Sequence, residues 1–284
     1  MAQIIDGKAV AAKIRQIAAK EAAELATPPG LAVVLVGDDE ASKVYVRQKE
    51  RACQQVGIVS KMINLPATTT QQQLLDVVEQ LNSDASVSGI LVQLPLPQHI
   101  DEHTVVCAID PAKDVDCFHP QNVGKMMIGL PYFLPCTPAG VLELLRQYQV
   151  PVKGADCVVI GRSNIVGKPL GVMLCNMGAT VTICHSNTKN LAQKCAAADI
   201  IVSCVGKINF IDPTMVKEGA VVIDVGTNRG ADGKLHGDVQ FEAVAPKCSA
   251  ITPVPGGVGP MTVAMLMQNT VKAAKNQQKQ VDNI

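Results

Sequence analysis

The chain has 284 residues, of which 48% are hydrophobic and 18% are charged, and its formal net charge at pH 7 is zero. This length and composition predict about two globular domains with substantial cores and exclude an extended disordered chain. A zero net charge argues against general binding to nucleic acids or membrane surfaces. The absence of Trp, with only three Tyr and four Phe, argues against a base-stacking surface.

The ten cysteines include no Cys-x-x-Cys pair, so the sequence indicates neither a zinc site nor a thioredoxin-like motif. Several lie in apolar runs, as Cys157 and Cys204 do, where cysteine packs as a small hydrophobic residue. This number of unorganised thiols is typical of the reducing cytosol, and the N-terminus does not resemble a signal peptide. No apolar run approaches the roughly 20 residues that span a bilayer. We therefore expect a cytoplasmic protein.

Short apolar runs alternate with amphipathic stretches in the first half of the chain. Strands are predicted at 31–37, 61–65 and 89–94, and helices at 43–56 and 71–81. Ser42 is the predicted N-cap of the first helix, and Gly57 is predicted to end it. Apolar strands that alternate with helices indicate parallel β-α-β units, buried on both faces.

A proline-bounded stretch from residue 99 to residue 138 precedes a second alternating region. Thr137-Pro138 is typical of a helix start, and this helix is predicted to link two domains. Strands then follow at 157–161, 180–184, 200–205, 220–225 and 250–252, before a final helix at 261–275. The sequence predicts a two-domain α/β protein. Its N-terminal part is an α/β domain, and its second part is a Rossmann-type, doubly wound domain.

A glycine motif follows the strand predicted at 157–161. Gly161-Arg-Ser-Asn-Ile-Val-Gly167 is close to a dinucleotide-binding fingerprint, with Ser163 where the second glycine usually stands. Gly161 would make the tight turn, and Gly167 would let helix and strand pack closely. The N-terminus of the following helix would hold the pyrophosphate.

The next strand bears on the choice of cofactor. NAD sites usually carry Asp or Glu about 20 residues after the fingerprint, but residues 177–188 contain no acid. They contain Ser186, and Arg162 directly follows the first glycine of the fingerprint. A cation and hydroxyl groups suit the 2′-phosphate of NADP, so the sequence favours NADP. The alternative is that Arg162 is a solvated loop cation and Ser186 an ordinary turn residue.

Several polar residues stand out in the first half of the chain. Tyr45 and Lys49 share one face of a predicted helix, a pairing that is also common on ordinary surfaces. Gln93 interrupts an apolar strand, so it must find partners or lie at the carboxyl end, where α/β proteins bind ligands. Asp114 and Asp116 could ligate a metal, but a loop acid that caps nearby groups is the commoner case.

The segment 252–262 reads Thr-Pro-Val-Pro-Gly-Gly-Val-Gly-Pro-Met-Thr. Proline fixes φ, and glycine permits close approaches that a Cβ atom forbids. Such a segment suits a loop that lies flat against a ligand. The alternative is a rigid connector that shapes the start of the final helix.

These motifs occur together and in a characteristic order: Tyr45-Val-Arg-Gln-Lys49, Val92-Gln-Leu-Pro-Leu-Pro97, Lys113-Asp-Val-Asp116, Pro135-Cys-Thr-Pro138, Gly161–Gly167 and Thr252–Thr262. The chain closely resembles the bifunctional methylenetetrahydrofolate dehydrogenase/methenyltetrahydrofolate cyclohydrolase family. The resemblance extends from Ile5-Asp-Gly7 to the last helix. It implies NADP-dependent oxidation of 5,10-methylenetetrahydrofolate and hydrolysis of the product to 10-formyltetrahydrofolate, in one-carbon and purine metabolism.

The resemblance also implies roles for individual residues. Lys49 would be the central general acid/base, tuned by a bond from Gln93, and Tyr45 would stack along the substrate while Asp116 holds the pterin. A lysine can serve if burial and a nearby cation lower its pKa. The implied catalytic residues are Lys49, Gln93, Tyr45 and Asp116. The implied substrate-binding residues are Tyr45, Gln93, Asp116, Pro255, Gly256, Gly257 and Thr262. The implied cofactor-binding residues are Gly161, Arg162, Ser163, Ile165, Val166, Gly167, Ser186 and Thr227.

The implied organisation has residues 1–136 and 261–284 forming the folate-binding domain. Residues 137–260 form the NADP-binding domain, with a cleft between the two and a homodimer built through the cofactor domain. Cys117, where the family usually has Gly, and Thr227, where Ile or Val is usual, depart from the pattern. Three alternatives remain: a dehydrogenase of the family without the second activity, a non-catalytic NADP-binding module, and an unrelated dehydrogenase on the same Rossmann domain.

Overall fold

The computed structural model describes residues 2–282, which form ten α-helices and eleven β-strands. The helices are α1 (Gly7–Ala23), α2 (Glu40–Val56), α3 (Gln71–Ser83), α4 (Glu102–Ala108), α5 (Pro120–Met127), α6 (Cys136–Gln147), α7 (Gly167–Asn176), α8 (Leu191–Ala197), α9 (Phe241–Val244) and α10 (Val258–Asp282). The strands are β1 (Gln3–Ile4), β2 (Gly30–Val36), β3 (Val59–Leu65), β4 (Gly89–Val92), β5 (Asp156–Ile160), β6 (Thr180–Cys184), β7 (Ile200–Ser203), β8 (Val221–Asp224), β9 (Asn228–Arg229), β10 (Leu235–His236) and β11 (Ala250–Ile251). In the described part of the chain, no helix is both long and apolar enough to cross a membrane.

The chain divides into two compact units, each with its own sheet. One contains the residues up to 11 together with 135–262, and the other contains 12–134 together with the residues from 263 onward. The predicted two-domain α/β class is confirmed. The first eleven residues differ from the predicted boundaries, because β1 pairs in parallel with β11 and not with the strands of its own half.

The first unit contains a six-stranded sheet in the order β1-β11-β8-β7-β5-β6, and every pairing in it is parallel. The strands predicted in the second half of the chain all form, and their ends differ from the prediction by at most two residues. Buried Val and Ile side chains on β5, β7 and β8 form a core with Cys184 of β6 and with residues of α8 and α9. All carboxyl ends of the main strands therefore meet at one edge, where ligands bind in open α/β sheets.

The second unit contains a three-stranded parallel sheet in the order β3-β2-β4. All seven residues of the central strand β2 are buried. Alternate residues of β2 pack against the apolar side of α3, represented by Leu74, Val78 and Leu81. The helix begins with a capping box, in which Thr70 and Gln73 satisfy each other's backbone N–H groups.

Several helix ends differ from the prediction. The N-cap of α2 is Asp39 and not Ser42, since the Asp39 carboxylate accepts a 2.7 Å hydrogen bond from the backbone N–H of Ser42. Gly57 ends the helix with φ 82°, as predicted. Helix α10 continues through polar residues that were expected to form a tail, as far as Asp282. The last two residues of that predicted tail lie outside the described residues.

The buried Lys113 side chain fixes its loop to the end of α3. Lys113 Nζ donates hydrogen bonds to the carbonyl oxygens of Leu81, Asn82 and Asp84, at 3.0, 2.7 and 2.8 Å. These carbonyls lie at the C-terminal end of α3, where backbone acceptors lack helical partners and a cation is favourable. Burial lowers the pKa of Lys113.

Candidate active site

Lys49 and Gln93 meet at the carboxyl edge of the three-stranded sheet. Lys49 is only 8% exposed, and its Nζ donates a 2.9 Å hydrogen bond to Oε1 of Gln93. The Gln93 amide is held in turn, because its Nε2 donates a 2.7 Å hydrogen bond to the carbonyl of Leu94. Since β4 ends at Val92, Gln93 stands where the sequence placed it, at the ligand-binding end of the strand. A buried ammonium fixed by a neutral amide can move protons at a defined position.

Tyr45 lies one turn before Lys49 on α2 and is 37% exposed. The aromatic ring is thus accessible on the helix that carries the buried lysine. Helical spacing of four residues places both side chains on the same face. This arrangement agrees with the expected pairing of the two residues.

The two acids of the Lys-Asp-Val-Asp motif have different environments. Asp114 is buried, and its carboxylate accepts hydrogen bonds from Phe118 N, His119 N and Asn122 Nδ2 at 3.1, 2.9 and 2.8 Å. Burial raises the pKa of Asp114. Asp116 is half-buried, and no group within residues 2–282 donates a hydrogen bond to it. Asp114 is therefore the capping acid, and Asp116 is the acid that can receive a ligand.

A backbone bridge joins the Lys-Asp-Val-Asp motif to β4. Ile90 of β4 bridges in parallel to Asp114, and the Ile90 N–H donates a 2.8 Å hydrogen bond to the Lys113 carbonyl. Residues 114–117 then form a turn, in which the Cys117 N–H donates a 3.1 Å hydrogen bond to the Asp114 carbonyl.

Cys117 adopts φ 61°, in the left-handed region that favours glycine. The side chain is fully buried, and its Sγ donates a 3.3 Å hydrogen bond to the carbonyl of Phe133. This backbone conformation gives a physical reason for the glycine expected at this position.

The fingerprint glycines lie where a side chain cannot fit. Gly161 has φ 131°, and a Cβ atom there would stand 2.5 Å from Cys204 Sγ. A Cβ atom at Gly167 would stand 2.1 Å from the Gly161 carbonyl oxygen. Ser163, in place of the second glycine, accepts hydrogen bonds from Val166 N and Gly167 N at 3.2 and 3.4 Å. The Ser163 hydroxyl thus closes the turn that starts α7, beside an exposed Ile165.

The turn after β6 carries the residues expected at the 2′-phosphate. The backbone N–H of Thr188 donates to the His185 carbonyl at 2.8 Å, and Thr188 Oγ1 accepts from the His185 N–H at 2.8 Å. Ser186 is exposed at the tip of this turn. Arg162 is exposed and forms no ion pair within the described part of the chain. With no acid in the turn, these residues fit an NADP phosphate.

The loop after β11 packs against the start of α1. The Lys8 N–H donates a 3.1 Å hydrogen bond to the Gly256 carbonyl, and a Cβ atom at Gly7 would stand 1.8 Å from the Gly257 carbonyl oxygen. Gly256 and Gly257 are therefore buried, whereas Pro255 is exposed.

The end of the same loop is also held. Thr262 Oγ1 shares a 2.9 Å hydrogen bond with Thr137 Oγ1 at the start of α6. The loop has a structural role within its own unit in addition to the ligand role expected of it.

The comparisons with known proteins decide the family. Residues 5–116 match the profile "Tetrahydrofolate dehydrogenase/cyclohydrolase, catalytic domain". Residues 135–278 match the profile "Tetrahydrofolate dehydrogenase/cyclohydrolase, NAD(P)-binding domain".

The chain belongs to the tetrahydrofolate dehydrogenase/cyclohydrolase family. It is 58% identical over 275 residues to the bifunctional protein FolD of Ruminiclostridium cellulolyticum, covering 96% of this chain and 97% of the relative. It is 56% identical over 281 residues to the bifunctional protein FolD of Acetivibrio thermocellus, covering 98% and 99%.

Solved structures of the family have the same fold. The bifunctional FolD enzyme of Campylobacter jejuni superposes with a TM-score of 0.96 at 50% identity, covering 97% of this chain and 99% of that one. The Trypanosoma brucei enzyme, complexed with NADP cofactor and inhibitor, gives 0.94 at 40% identity, covering 98% and 99%. The resemblance inferred from the motifs is confirmed, and so is the choice of an NADP enzyme.

The predicted site residues are divided between the two units. Tyr45, Lys49, Gln93 and Asp116 belong to the unit with the three-stranded sheet. The fingerprint residues, Ser186, Thr227 and the loop residues from Pro255 to Thr262 belong to the unit with the six-stranded sheet. Thr227 is exposed, in the loop after β8.

Two buried acids in the unit with the six-stranded sheet, Asp224 and Asp238, are not among the residues predicted from the motifs. The available signal for Asp224 was an acid that directly ends an apolar strand. Asp238 had no comparable local signal.

Proposed function

We infer that this member of the family is a bifunctional, NADP-dependent methylenetetrahydrofolate dehydrogenase and methenyltetrahydrofolate cyclohydrolase of one-carbon metabolism. It oxidises 5,10-methylenetetrahydrofolate and hydrolyses the resulting methenyl compound to 10-formyltetrahydrofolate. The observation that carries the second activity is the 2.9 Å hydrogen bond between buried Lys49 and Gln93. A dehydrogenase without cyclohydrolase activity would not need this pair.

When bound, NADP would supply the acceptor for the hydride of the methylene carbon, so the protein's part in the first step would be to bind and orient substrate and cofactor. We assign the pyrophosphate to the N-terminus of α7, with Gly161, Ser163 and Gly167 forming the turn before it. Ile165 and Val166 would border the cofactor. Two groups would recognise the 2′-phosphate, the Arg162 guanidinium and the Ser186 hydroxyl.

The second step needs proton transfer. Water adds to the methenyl carbon, a proton is released, and a carbon–nitrogen bond of the ring breaks to leave the formyl group. We assign the proton transfers to Lys49, which Gln93 holds in position, because a positioned acid or base gives on the order of 10²–10⁴-fold. The Asp116 carboxylate would bind the amino–imino edge of the pterin through paired, charge-assisted hydrogen bonds. Tyr45 would stack along the substrate.

The remaining assignments follow the family pattern. We propose that residues 1–136 and 261–284 supply the folate-binding functions and residues 137–260 the NADP-binding functions. Within the first set, residues 2–11 contribute through the strand and helix start that pack in the other unit. Pro255, Gly256, Gly257 and Thr262 would contact substrate, and Thr227 would contact the cofactor. We also propose that the protein is cytoplasmic and that it forms a homodimer. Light scattering of the purified protein, which measures its molar mass, tests the dimer.

One incubation tests the function. The protein is mixed with 5,10-methylenetetrahydrofolate and NADP, and methenyl- and 10-formyltetrahydrofolate are measured. Formation of both products is expected. If methenyltetrahydrofolate forms and 10-formyltetrahydrofolate appears no faster than by spontaneous hydrolysis, the protein is a dehydrogenase without the second activity. Binding of NADP without any product would identify a non-catalytic module.

A further inference from the structure

Asp238 is a fully buried acid that collects five hydrogen bonds from two loops of the six-stranded sheet. Its carboxylate accepts from Ser203 Oγ at 2.9 Å, Val205 N at 2.9 Å, Gly206 N at 3.3 Å, Lys207 N at 2.9 Å and Asn228 Nδ2 at 3.0 Å. A buried carboxylate is costly unless hydrogen bonds compensate it, and here both oxygens are compensated.

Three of these donors are successive backbone N–H groups after β7. Gly206 has φ 68°, and this turn aims the N–H groups of residues 205–207 at one point. Such a concave set of amides is a general anion-binding arrangement. Here an internal carboxylate occupies it, so the loop cannot offer these amides to a cofactor phosphate. The phosphates are left to the fingerprint after β5.

The same carboxylate also holds the loop after β8. Asn228 donates to Asp238 Oδ1, and a Cβ atom at Gly226 would stand 2.2 Å from that oxygen. The backbone N–H of Asp238 donates a 3.0 Å hydrogen bond to Asp224, the last residue of β8. Residues 226–228 are therefore fixed against Asp238, with Thr227 exposed between them.

Strand order indicates which part of a dinucleotide these loops would face. The order β6-β5-β7-β8 places the turn with Ser186 at one end, the fingerprint next, and the loops held by Asp238 beyond it. Neighbouring strands lie about 4.8 Å apart, so the ends of β6 and β8 are separated by roughly 14 Å. A dinucleotide with its 2′-phosphate at β6 and its pyrophosphate at β5 extends its nicotinamide half towards β7 and β8.

We propose that Asp238 is a positioning residue for the nicotinamide half of the NADP site. It acts by fixing the loops 204–207 and 226–228 at the carboxyl ends of β7 and β8. This assignment rests on the proposed function, because it presumes that NADP binds along this edge. It distinguishes the two halves of the cofactor: the adenine half with its 2′-phosphate does not depend on Asp238, and the nicotinamide half does.

The test compares NADP with 2′,5′-ADP, which contains only the adenine half and the 2′-phosphate. Variants Asp238→Asn, Asn228→Ala and Ser203→Ala are measured by calorimetry for both ligands, by steady-state kinetics, and by thermal unfolding. The two milder variants each remove one donor, so they keep the test valid if Asp238→Asn does not fold. Ser249→Ala is the matched control, since its hydroxyl bonds the Ala220 carbonyl at the opposite edge of the sheet.

We expect Asn228→Ala to lower the NADP affinity or the dehydrogenase kcat by about tenfold, as for loss of one hydrogen bond to a charged group. Its affinity for 2′,5′-ADP and its cyclohydrolase rate should stay within twofold of the control. A parallel loss of affinity for NADP and 2′,5′-ADP would overturn the assignment, and so would wild-type values of both the NADP affinity and the dehydrogenase kcat. Either result would leave the proposed function intact. Wild-type protein that binds neither ligand would overturn the proposed function, and the assignment with it.

Discussion

Gly7 lies so close to Gly257 that a Cβ atom at Gly7 would stand 1.8 Å from the Gly257 carbonyl oxygen. The adjacent Lys8 N–H donates to the Gly256 carbonyl at 3.1 Å, and the Ile5 N–H donates to the Ile251 carbonyl at 2.8 Å. The amino-terminal segment therefore holds the proline–glycine loop along its length. The loop's conformation depends on a residue about 250 positions away in the chain.

Gly7→Ala should displace this loop, because the clash is with backbone and no side-chain rotation relieves it. We expect a loss of at least tenfold in dehydrogenase kcat/KM, in line with the effect of small misplacements at an active site. Steady-state kinetics measures it, and thermal unfolding checks the fold. Gly124→Ala on α5 is the control, since a Cβ atom there meets no atom within 4 Å. Equal activity of the two variants would contradict the prediction.

Lys49→Met should lower the cyclohydrolase rate by about 10²–10⁴-fold, the range expected for loss of a positioned acid or base. Because the substitution removes a buried charge and leaves an apolar chain of similar length, the free energy of unfolding should not fall sharply. Conversion of methenyl- to 10-formyltetrahydrofolate, followed by absorbance with the spontaneous rate subtracted, measures the effect. Wild-type activity in this variant would remove Lys49 from the mechanism.

Cys117 offers a test of backbone conformation. Its φ of 61° is unfavourable for any residue with a Cβ atom, so Cys117→Ala keeps the strain while losing the Sγ bond to Phe133. Cys117→Gly relieves the strain. We expect the alanine variant to be less stable than the glycine variant by about 1 kcal/mol, measured by urea unfolding. If the alanine variant were the more stable of the two, packing of the Cβ atom would contribute more than the backbone strain costs.

Arg162→Ala should weaken NADP binding by one to two orders of magnitude and leave the weaker binding of NAD nearly unchanged, since a charge-assisted bond to phosphate is lost. Isothermal titration with both cofactors gives the ratio. Lys153→Ala is a suitable control, because Lys153 is an exposed cation that precedes β5, at the amino edge of the same sheet. An equal loss for NAD and NADP would argue that Arg162 does not contact the 2′-phosphate.

Burial raises the pKa of Asp224 from 3.8 to about 6, although its carboxylate accepts three backbone N–H bonds. The folded state therefore holds this proton more tightly than the unfolded state. The stability that Asp224 contributes is fully present below pH 3.8 and is lost as the pH rises through about 6. The loss amounts to roughly 3 kcal/mol.

Urea unfolding at several pH values between about 4 and 7 measures this effect as the difference between wild type and Asp224→Asn, which cannot titrate. The free energy of unfolding of the wild type should decline relative to that of the variant across this interval. A constant difference would show that Asp224 does not change its protonation state there.

Local patterns identified most secondary structure and the family. The apolar run Gly30–Val36 is short and rich in β-branched valine, which favours a strand, and its parallel neighbours β3 and β4 satisfy its backbone while all seven residues are buried. Gly167 was interpretable because the atoms that a Cβ would meet there belong to Gly161 and Arg162, within the same motif, whereas the close neighbour of Gly161 is Cys204, 43 positions later.

Asp116 was named as a ligand residue from its motif, but its distinction from Asp114 was not visible in the sequence. The two acids are separated by one residue, and only the fold shows that amides from residues 118, 119 and 122 converge on Asp114. Likewise, the 2.9 Å bond from Lys49 to Gln93 joins residues 44 positions apart.

The sequence by itself determined the α/β class, the strands of the two parallel sheets other than β1, the fingerprint and the family, because these follow from periodicity, short-range sterics and motif order. Tertiary structure alone decided that β1 pairs with β11, that Gly7 packs against Gly257, and that Asp238 joins two loops. Each of these contacts links segments far apart in the chain. A two-residue strand, a single glycine and a single buried acid leave no periodic pattern, so their partners are set only when the whole sheet has assembled.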